Sequence, residues 1–545
     1  MGARGPVRED DQGATGPAHD GPGGVLGRRR FLAGAAAGAA AVVAGLPGRA
    51  GAWRAPASVL SAPRLPGPPF TLGVASGDPL PDGVVLWTRL APEPLAGGGM
   101  PPGDVPVRWE VAADERFRRV LRRGRVLARR RDAHSVHVDV RGLEPGRDHW
   151  YRFRAAGHES PVGRTRTAPA PRGRPARIRF AFASCQAWTS GWYNAYAGMA
   201  DEDLHFVAHL GDYIYEYGRA GAAAVRDHTS DEVTDLAGYR DRYALYKTDP
   251  DLQAAHARFP WIVTWDDHEV ENDYAGLVPE PGPAQDFRAR RAAAYRAWWE
   301  HQPVRLAPPR GPDLRIYRTL RYGRWCRLFV LDTRQYRSDQ TCGIDPYPFG
   351  PRCDDASDPT RTLTGEAQER WLADRLRRSD ARWNVVAQQV MVGPVNFLPG
   401  AEGGIWNHDQ WDGYLPARRR FLRALRAAPG DALVITGDVH SSWVHDLHAR
   451  PEDPDSPAVA TELVGTSISS TFPTALAGLA AEAARQQPTC RYFEGTRRGY
   501  VRVTLRPERT RADYRTVATV QERDAPTETT ASFVIEAGRP GAQPA

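Results

Sequence analysis

The run Leu204-His205-Phe206-Val207-Ala208-His209-Leu210 leads directly into Gly211-Asp212-Tyr213-Ile214-Tyr215, so an apolar segment ends in a carboxylate and a phenol three residues apart. A short apolar run stopped by glycine reads as a buried strand. Three other strand-like runs also end in possible ligands: Phe180-Ala181-Phe182-Ala183-Ser184-Cys185, Trp261-Ile262-Val263-Thr264-Trp265-Asp266-Asp267-His268, and Leu433-Val434-Ile435-Thr436-Gly437-Asp438-Val439-His440. Open α/β sheets build their sites where strand ends converge. The sequence therefore predicts an α/β fold with a metal-binding edge.

Working outward, strand-like and helical runs alternate from Ile178 onward. Helical periodicity is expected over 286–302, 364–380 and 416–428, and apolar strands over 327–331, 383–392, 432–436 and 458–464. Such alternation predicts helices layered over sheets, an α/β sandwich. Alternating Val501, Val503 and Leu505 predict late antiparallel strands, and the Gly/Pro/Ala-rich tail beyond Glu536 is expected to fray. Upstream, short β runs at 84–90, 107–111 and 137–140, then the turn and strand Leu143 to Phe153, predict a small fibronectin-like β-sandwich. The predicted order is a signal over 1–52, a linker over 53–69, the sandwich over 70–167, the α/β domain over 175–520, and a C-terminal segment over 521–545.

The start is that of an exported protein. Gly27-Arg28-Arg29-Arg30-Phe31-Leu32 precedes an Ala/Gly-rich apolar run to Leu46 and the triplet Ala50-Gly51-Ala52, which reads as a twin-arginine signal cleaved after Ala52. The partner implied is the twin-arginine translocase, and the location is secreted or cell-envelope. The formal charge of +7 is carried almost wholly by arginine, with Lys247 the one lysine. Those arginines are scattered along the chain, so no nucleic-acid-specific partner is expected. Of the 5 cysteines, Cys342 and Cys353 flank a short loop and are expected to pair. Cys326 reads as a buried thiol.

Hard oxygen donors with one thiolate and one phenolate describe a site for a trivalent iron paired with a divalent ion. The candidate ligands are Cys185, Asp212, Tyr215, Asp267, Asn272, Asp438 and His440. Taken singly, each has an ordinary alternative, such as a helix cap, a core tyrosine, an inert thiol or a satisfied core histidine. Their joint placement after separate strands favours the cluster.

Several segments carry a resemblance: Gly73-Val74-Ala75-Ser76-Gly77-Asp78-Pro79, Leu86-Trp87-Thr88-Arg89, Phe182-Ala183-Ser184-Cys185-Gln186, Gly211-Asp212-Tyr213-Ile214-Tyr215-Glu216, Trp265-Asp266-Asp267-His268-Glu269 and Gly437-Asp438-Val439-His440-Ser441-Ser442. Together they resemble the PhoD-type alkaline phosphatases, from about Phe70 to Tyr500. The resemblance implies a β-sandwich followed by a four-layer metallophosphoesterase domain, related to purple acid phosphatases and holding Fe(3+) and Ca(2+). It implies Cys185 and Tyr215 on iron, Asp212 as a bridge, and Asp438 and His440 as further ligands. Asp267 and Asn272 compete for the remaining place, Asn272 being favoured for calcium because a neutral oxygen suits it. Asp266 would orient the loop.

The function this implies is a secreted phosphatase acting on phosphate monoesters and diesters through a metal-bound hydroxide. His268 would protonate or stabilise the leaving oxygen, and Arg334 would clamp phosphate unless it serves an ordinary ion pair with Asp332 or a neighbour. The alternative substrate is a lipid headgroup, cleaved by a phospholipase D-type phosphodiesterase. A glycan-binding surface protein with structural metals and an iron oxidase are the readings from other classes. The first predicts no hydrolysis of phosphate esters, and the second predicts iron that changes oxidation state with substrate.

Overall fold

Three short parallel strands, Ile178–Ala183, Phe206–His209 and Pro260–Val263, form the heart of a ten-stranded sheet. They are almost wholly apolar because both faces are covered. The computed structural model describes residues 65–282, 285–342 and 348–545. The expected signal over 1–52, and the linker as far as residue 64, lie outside the described residues. Among those residues no helix is long and apolar enough to cross a membrane.

A seven-stranded second sheet holds four parallel strands, Cys326–Val330, Trp383–Ala387, Asp431–Thr436 and Ala458–Val464. Strand alternation sorts their side chains. Leu328, Val385, Leu433 and Ile435 turn inward onto Phe180, Phe182, Phe206 and Val501 of the first sheet. Phe329, Val386 and Val434 turn outward onto Leu372, Leu376, Phe421 and Leu425. The last four belong to helices Glu366–Arg377 and Leu415–Arg426. The first sheet is covered by helices Leu236–Lys247, Pro250–Arg258 and Phe287–His301, through Tyr243, Trp261, Trp265, Tyr295 and Trp298. The last of these begins where Asp286 accepts the N–H of Ala289 and stops at Gln302, just before Pro303. It therefore matches the 286–302 expectation.

The region upstream of residue 168 is not set apart by its sheets. Val74–Leu80 pairs in parallel with Pro260–Val263, so it and the strands Gly83–Arg89 and Ser135–Arg141 extend the ten-stranded sheet. A separate sheet, Val105–Ala112, Val120–Ala128 and Asp148–Ala155 with shorter neighbours, packs on those strands through Val107, Val111, Tyr151 and Phe153. The described residues form one compact unit. A linker at 168–174 thus separates chain segments but not sheets.

The tail corrects a second expectation. Strand Thr527–Glu536 is followed by Gln543–Pro544, which pairs back on Phe533 and Val534. Ala542 is buried, and its N–H donates to Asp446, on strand Ser442–His448 of the second sheet, at 2.9 Å. Small residues let this end lie flat against the sheet edge, and backbone hydrogen bonds hold it there. Cys342 and Cys353 form the expected disulfide, with Cα atoms 5.5 Å apart, and Cys326 is a buried free thiol.

Candidate metal centre

The C-terminal ends of parallel strands from both sheets converge, and three of them deliver their ligands through left-handed turns. Cys185, Asp212, Asp438 and His440 have φ of +59°, +54°, +63° and +53°. This left-handed backbone costs a side-chain-bearing residue about 1–3 kcal/mol and persists where surroundings enforce it. Here the enforcement is visible: the N–H of Cys185 donates to Gly211 O at 3.1 Å, and that of Gln186 to Asp212 O at 3.0 Å. Gly211 itself has φ +111°, and a Cβ there would stand 2.4 Å from the Cβ of Asp266. Glycine at 211 is therefore what lets the Asp212 and Asp266 turns touch. A Cβ at Gly437 would likewise meet Ser184 Oγ at 2.4 Å.

Asp212 is common to three clusters whose ligand atoms all lie within 4.8 Å of one another: Cys185/Asp212/His440, Asp212/Asp267/His268, and Asp212/Asp266/Asp267/Asp438. Tyr215 belongs with the first, its hydroxyl 3.0 Å from Asp212 Oδ2 and 3.1 Å from His440 Nε2. Asp212 Oδ1, Asp266 Oδ2 and Asp267 Oδ1 are buried without a hydrogen-bond partner. Orphaned carboxylate oxygens are costly in a protein interior unless something cationic meets them. The donor set fits cations.

Asn272 lines the same pocket, but its amide nitrogen is turned to Glu280 at 2.8 Å. Asp267 is the residue brought among the other carboxylates. Asp266, expected only to orient the loop, joins them. Arg334 is fully buried and faces carboxylates: Asp409 at 2.8 Å, Asp438 at 3.5 Å, Asp267 at 3.6 Å, and Asp266. Asp332 instead accepts the N–H groups of Arg334 and Gln335. Trp411, which lines the same pocket region through its neighbours Gln410 and Asp412, stacks on Phe421 with centroids 4.8 Å apart.

The electrostatics divide the two histidines. Burial, with Arg498 and His268 nearby, lowers His440 to about 3, so it is a neutral imidazole. Burial also disfavours charge on His268, but Glu216, Asp212 and Asp267 outweigh it and push its pKa well above the usual histidine value. Its Nδ1 is 2.8 Å from Glu216 Oε2. Burial, and then neighbouring carboxylates, push the Cys185 thiol and the Asp212 carboxyl upward. Thiolate and carboxylates are therefore kept together only with positive charge at the centre.

Sequence reasoning missed the supports. Glu269 accepts the N–H groups of Asp212, Tyr213 and Asp266 at 2.8–2.9 Å. Ser470 Oγ donates to the Tyr215 hydroxyl at 2.8 Å, and Gln410 Nε2 to Asp438 Oδ2 at 2.6 Å. Glu216 and Glu269 lie inside the motifs that drew attention, whereas Asp409, Gln410 and Ser470 follow no recognisable pattern. The centre opens into a pocket of about 280 Å³. Its lining combines Asp212, Asp267, His268, Asp438 and His440 with apolar side chains, among them Phe349, Val395, Phe397, Trp443, Phe472 and Leu476.

Comparisons with known proteins place this site. Residues 180–514 match the PhoD-like phosphatase family, and residues 55–169 match the N-terminal domain of PhoD-like phosphatases. Alkaline phosphatase D of Bacillus subtilis (strain 168) is 47% identical over 498 residues, which cover 89% of this chain and 83% of that protein. A solved structure described as that of PhoD superposes with a TM-score of 0.84 at 46% identity, covering 89% of this chain and 93% of that one. A mixed α/β fold with an acidic strand-end centre is thus that of a phosphoric ester hydrolase. The chain belongs to the PhoD-like phosphatase family.

Proposed function

We propose that this chain is an exported, metal-dependent phosphatase that hydrolyses phosphate monoesters and diesters at the Asp212 centre. The observation that carries the reading is the shared position of Asp212, between the Cys185/His440 set and the Asp266/Asp267/Asp438 set. Thiol, phenol, imidazole and carboxylate at Cys185, Tyr215, His440 and Asp212 suit trivalent iron. Asp212, Asp267 and Asp438 offer the oxygen donors calcium takes, with Asp267 preferred over Asn272 because it stands among them. Bound there, the cations would acidify a water molecule and neutralise phosphoryl oxygens as charge moves to the leaving group.

The chain's own groups fill the remaining roles. His268, held protonated by Glu216 and lining the pocket, gives a proton to the leaving oxygen. Arg334 is a positioning residue rather than a phosphate clamp, because its guanidinium is enclosed by carboxylates. The layers of helix, sheet, sheet and helix are read as the four-layer metallophosphoesterase sandwich, fronted by a fibronectin-like pair of sheets over 70–167. The Arg28-Arg29-Arg30 leader supports export through the twin-arginine translocase.

A second reading, a phosphodiesterase of the phospholipase D type, is favoured by the apolar side chains that line the pocket with the carboxylates. Elemental analysis of protein purified without chelator, with rates on a nitrophenyl monoester, its diester and phosphatidylcholine, tests both. Iron with calcium, and turnover of the nitrophenyl esters, is the expected result. Zinc alone, or metal-replete protein that cleaves none of the three, overturns the proposal. Phosphatidylcholine as the preferred substrate installs the second reading.

A further inference from the structure

Arg89 is a buried cation with part of its guanidinium unmet. It ends strand Gly83–Arg89 and is 1% exposed. Its Nε donates to Ala133 O at 3.0 Å, and its Nη1 to His301 Nε2 at 2.8 Å. Among the described residues, Nη2 has no acceptor and no carboxylate lies within 4 Å of the group. Burial pulls its pKa down to about 10, against the pull of Glu300. Glu300 is itself engaged by Arg240 at 2.6 Å and Arg296 at 2.8 Å. Among the described residues, Arg242 and Arg498 are the other buried arginines without a carboxylate partner, and both place each terminal nitrogen on an acceptor.

Arg89 lines a cavity of about 380 Å³ together with Arg130, His134, Ala237, Arg240 and Asp241. No lining residue is shared with the pocket at the metal centre. Arg130 is exposed and, among the described residues, has no carboxylate partner. Burial lowers the His134 pKa, and Arg89 and Arg130 push the same way, so these cations stand close together. Ala237 brings in the first turn of helix Leu236–Lys247, whose N–H end carries partial positive charge. Asp241 is the one carboxylate in the lining, and its Oδ1 is buried without a hydrogen-bond partner.

A structural role accounts for part of this. Through Nε and Nη1, Arg89 joins the Ala133 turn to the end of helix Phe287–His301. That role needs neither Nη2 nor a cavity. Leaving a buried donor unmet costs about 1–3 kcal/mol, and more when it is charged, so an anion entering here is favoured.

We propose that this cavity is a second anion site, and that its ligand is inorganic phosphate, the product a phosphoric ester hydrolase releases. The guanidinium nitrogens of Arg89 and Arg130 suit phosphate oxygens. Asp241 sorts the anions. A hydrogenphosphate ion carries an O–H that can donate to a carboxylate, whereas sulfate at neutral pH has none and meets only repulsion. Phosphate is held here and takes no part in hydrolysis.

The test is equilibrium dialysis of the holoenzyme against radiolabelled inorganic phosphate, with unlabelled sulfate as competitor. Arg130→Ala is compared with Arg129→Ala, the exposed neighbour that faces Asp104 and is absent from the cavity lining. Phosphate held at the metal centre is common to both and drops out of the difference. The expected result is a bound phosphate whose affinity falls about tenfold in Arg130→Ala, stays at the wild-type value in Arg129→Ala, and resists sulfate. Asp241→Asn should lose that resistance. Nitrophenyl ester turnover should be unchanged in Arg130→Ala, because Arg130 touches neither the metal centre nor the core. Identical phosphate binding in wild type and Arg130→Ala, or equal losses in both arginine variants, overturns the proposal. So does sulfate that competes equally well in wild type, or that Asp241→Asn still rejects. A parallel fall in turnover would place the lost phosphate at the metal centre and overturn it as well.

Discussion

Glu269 accepts the backbone N–H of Asp212 at 2.9 Å, and the same oxygen accepts that of Asp266 at 2.8 Å. One buried carboxylate therefore ties the turns that follow two neighbouring strands, and fixes the spacing of two candidate ligands. Glu269→Gln keeps the volume but turns a donor toward N–H groups that need acceptors. Leaving buried donors unsatisfied costs about 1–3 kcal/mol, and displacing support from a metal ligand weakens metal binding by roughly 10–100-fold. Thermal unfolding and metal titration check this; a variant with wild-type Tm and metal content refutes the role.

His268 depends on Glu216 in a comparable way. Glu216 holds Nδ1 of the ring with one oxygen and accepts the Asn272 N–H at 2.8 Å with the other. Glu216→Gln removes the charge that keeps the imidazole protonated. Loss of a positioned proton donor is worth about 10²–10⁴-fold, so kcat is expected to drop by about a hundredfold on an alkyl phosphate ester, whose alkoxide leaving group needs the proton, with KM within a factor of two. A substrate whose leaving group needs no proton should lose less. Equal losses on poor and good leaving groups would rule out proton donation by His268.

Removing the cations should also cost stability. Asp212, Asp266, Asp267 and Asp438 converge on one another, with Arg334 as the guanidinium among them. A ligand present at a hundred times its Kd stabilises by about 2.7 kcal/mol, which corresponds to a Tm shift of roughly 2–3 °C in a chain of this size. Dialysis against chelator should lower Tm by that amount, and restoring metal should reverse it. An unchanged Tm after full metal loss would mean that no cation sits among these carboxylates.

Which parts of this were legible in sequence follows from range. Cys185, Asp212, Asp267 and Asp438 each sit just past an apolar run, so local pattern exposed them. The choice between Asp267 and Asn272 was not readable, because both lie in one short turn and only the fold shows that the Asp267 carboxylate, and not the Asn272 amide, stands beside Asp212. Arg334 meets Asp409 from 75 residues away, and no periodicity encodes that pairing. The 84–90 run read correctly as a strand, yet the parallel pairing of its neighbour Val74–Leu80 with Pro260–Val263 lies beyond any local signal. The tail misled because small residues, which usually mark loose chain ends, here permit close pairing at Gln543–Pro544. The cavity at Arg89 was hidden because Arg130 and Arg240 join it only once strand and helix are packed.

Lys247, the one lysine, makes the sharpest stability prediction. Its Nζ is 3.0 Å from the Tyr213 hydroxyl and 4.4 Å from the Trp87 ring centre, with His256 hydrogen-bonded to the same tyrosine. Burial lowers its pKa from 10.5 to about 7. The unfolded chain therefore binds a proton between about pH 7 and 10.5 that the folded chain lacks, and stability rises with pH across that window. At one pKa unit per 1.36 kcal/mol the full effect approaches about 5 kcal/mol, reduced by the ring contact. Lys247→Met removes the titrating group while keeping an unbranched apolar stem. Its Tm should exceed wild type at pH 7 by several degrees, and the gap should close toward pH 10.5. Tm measured from pH 7 to 10 in both proteins decides the matter, and a gap that stays constant or widens with pH would show that the ammonium is not the source.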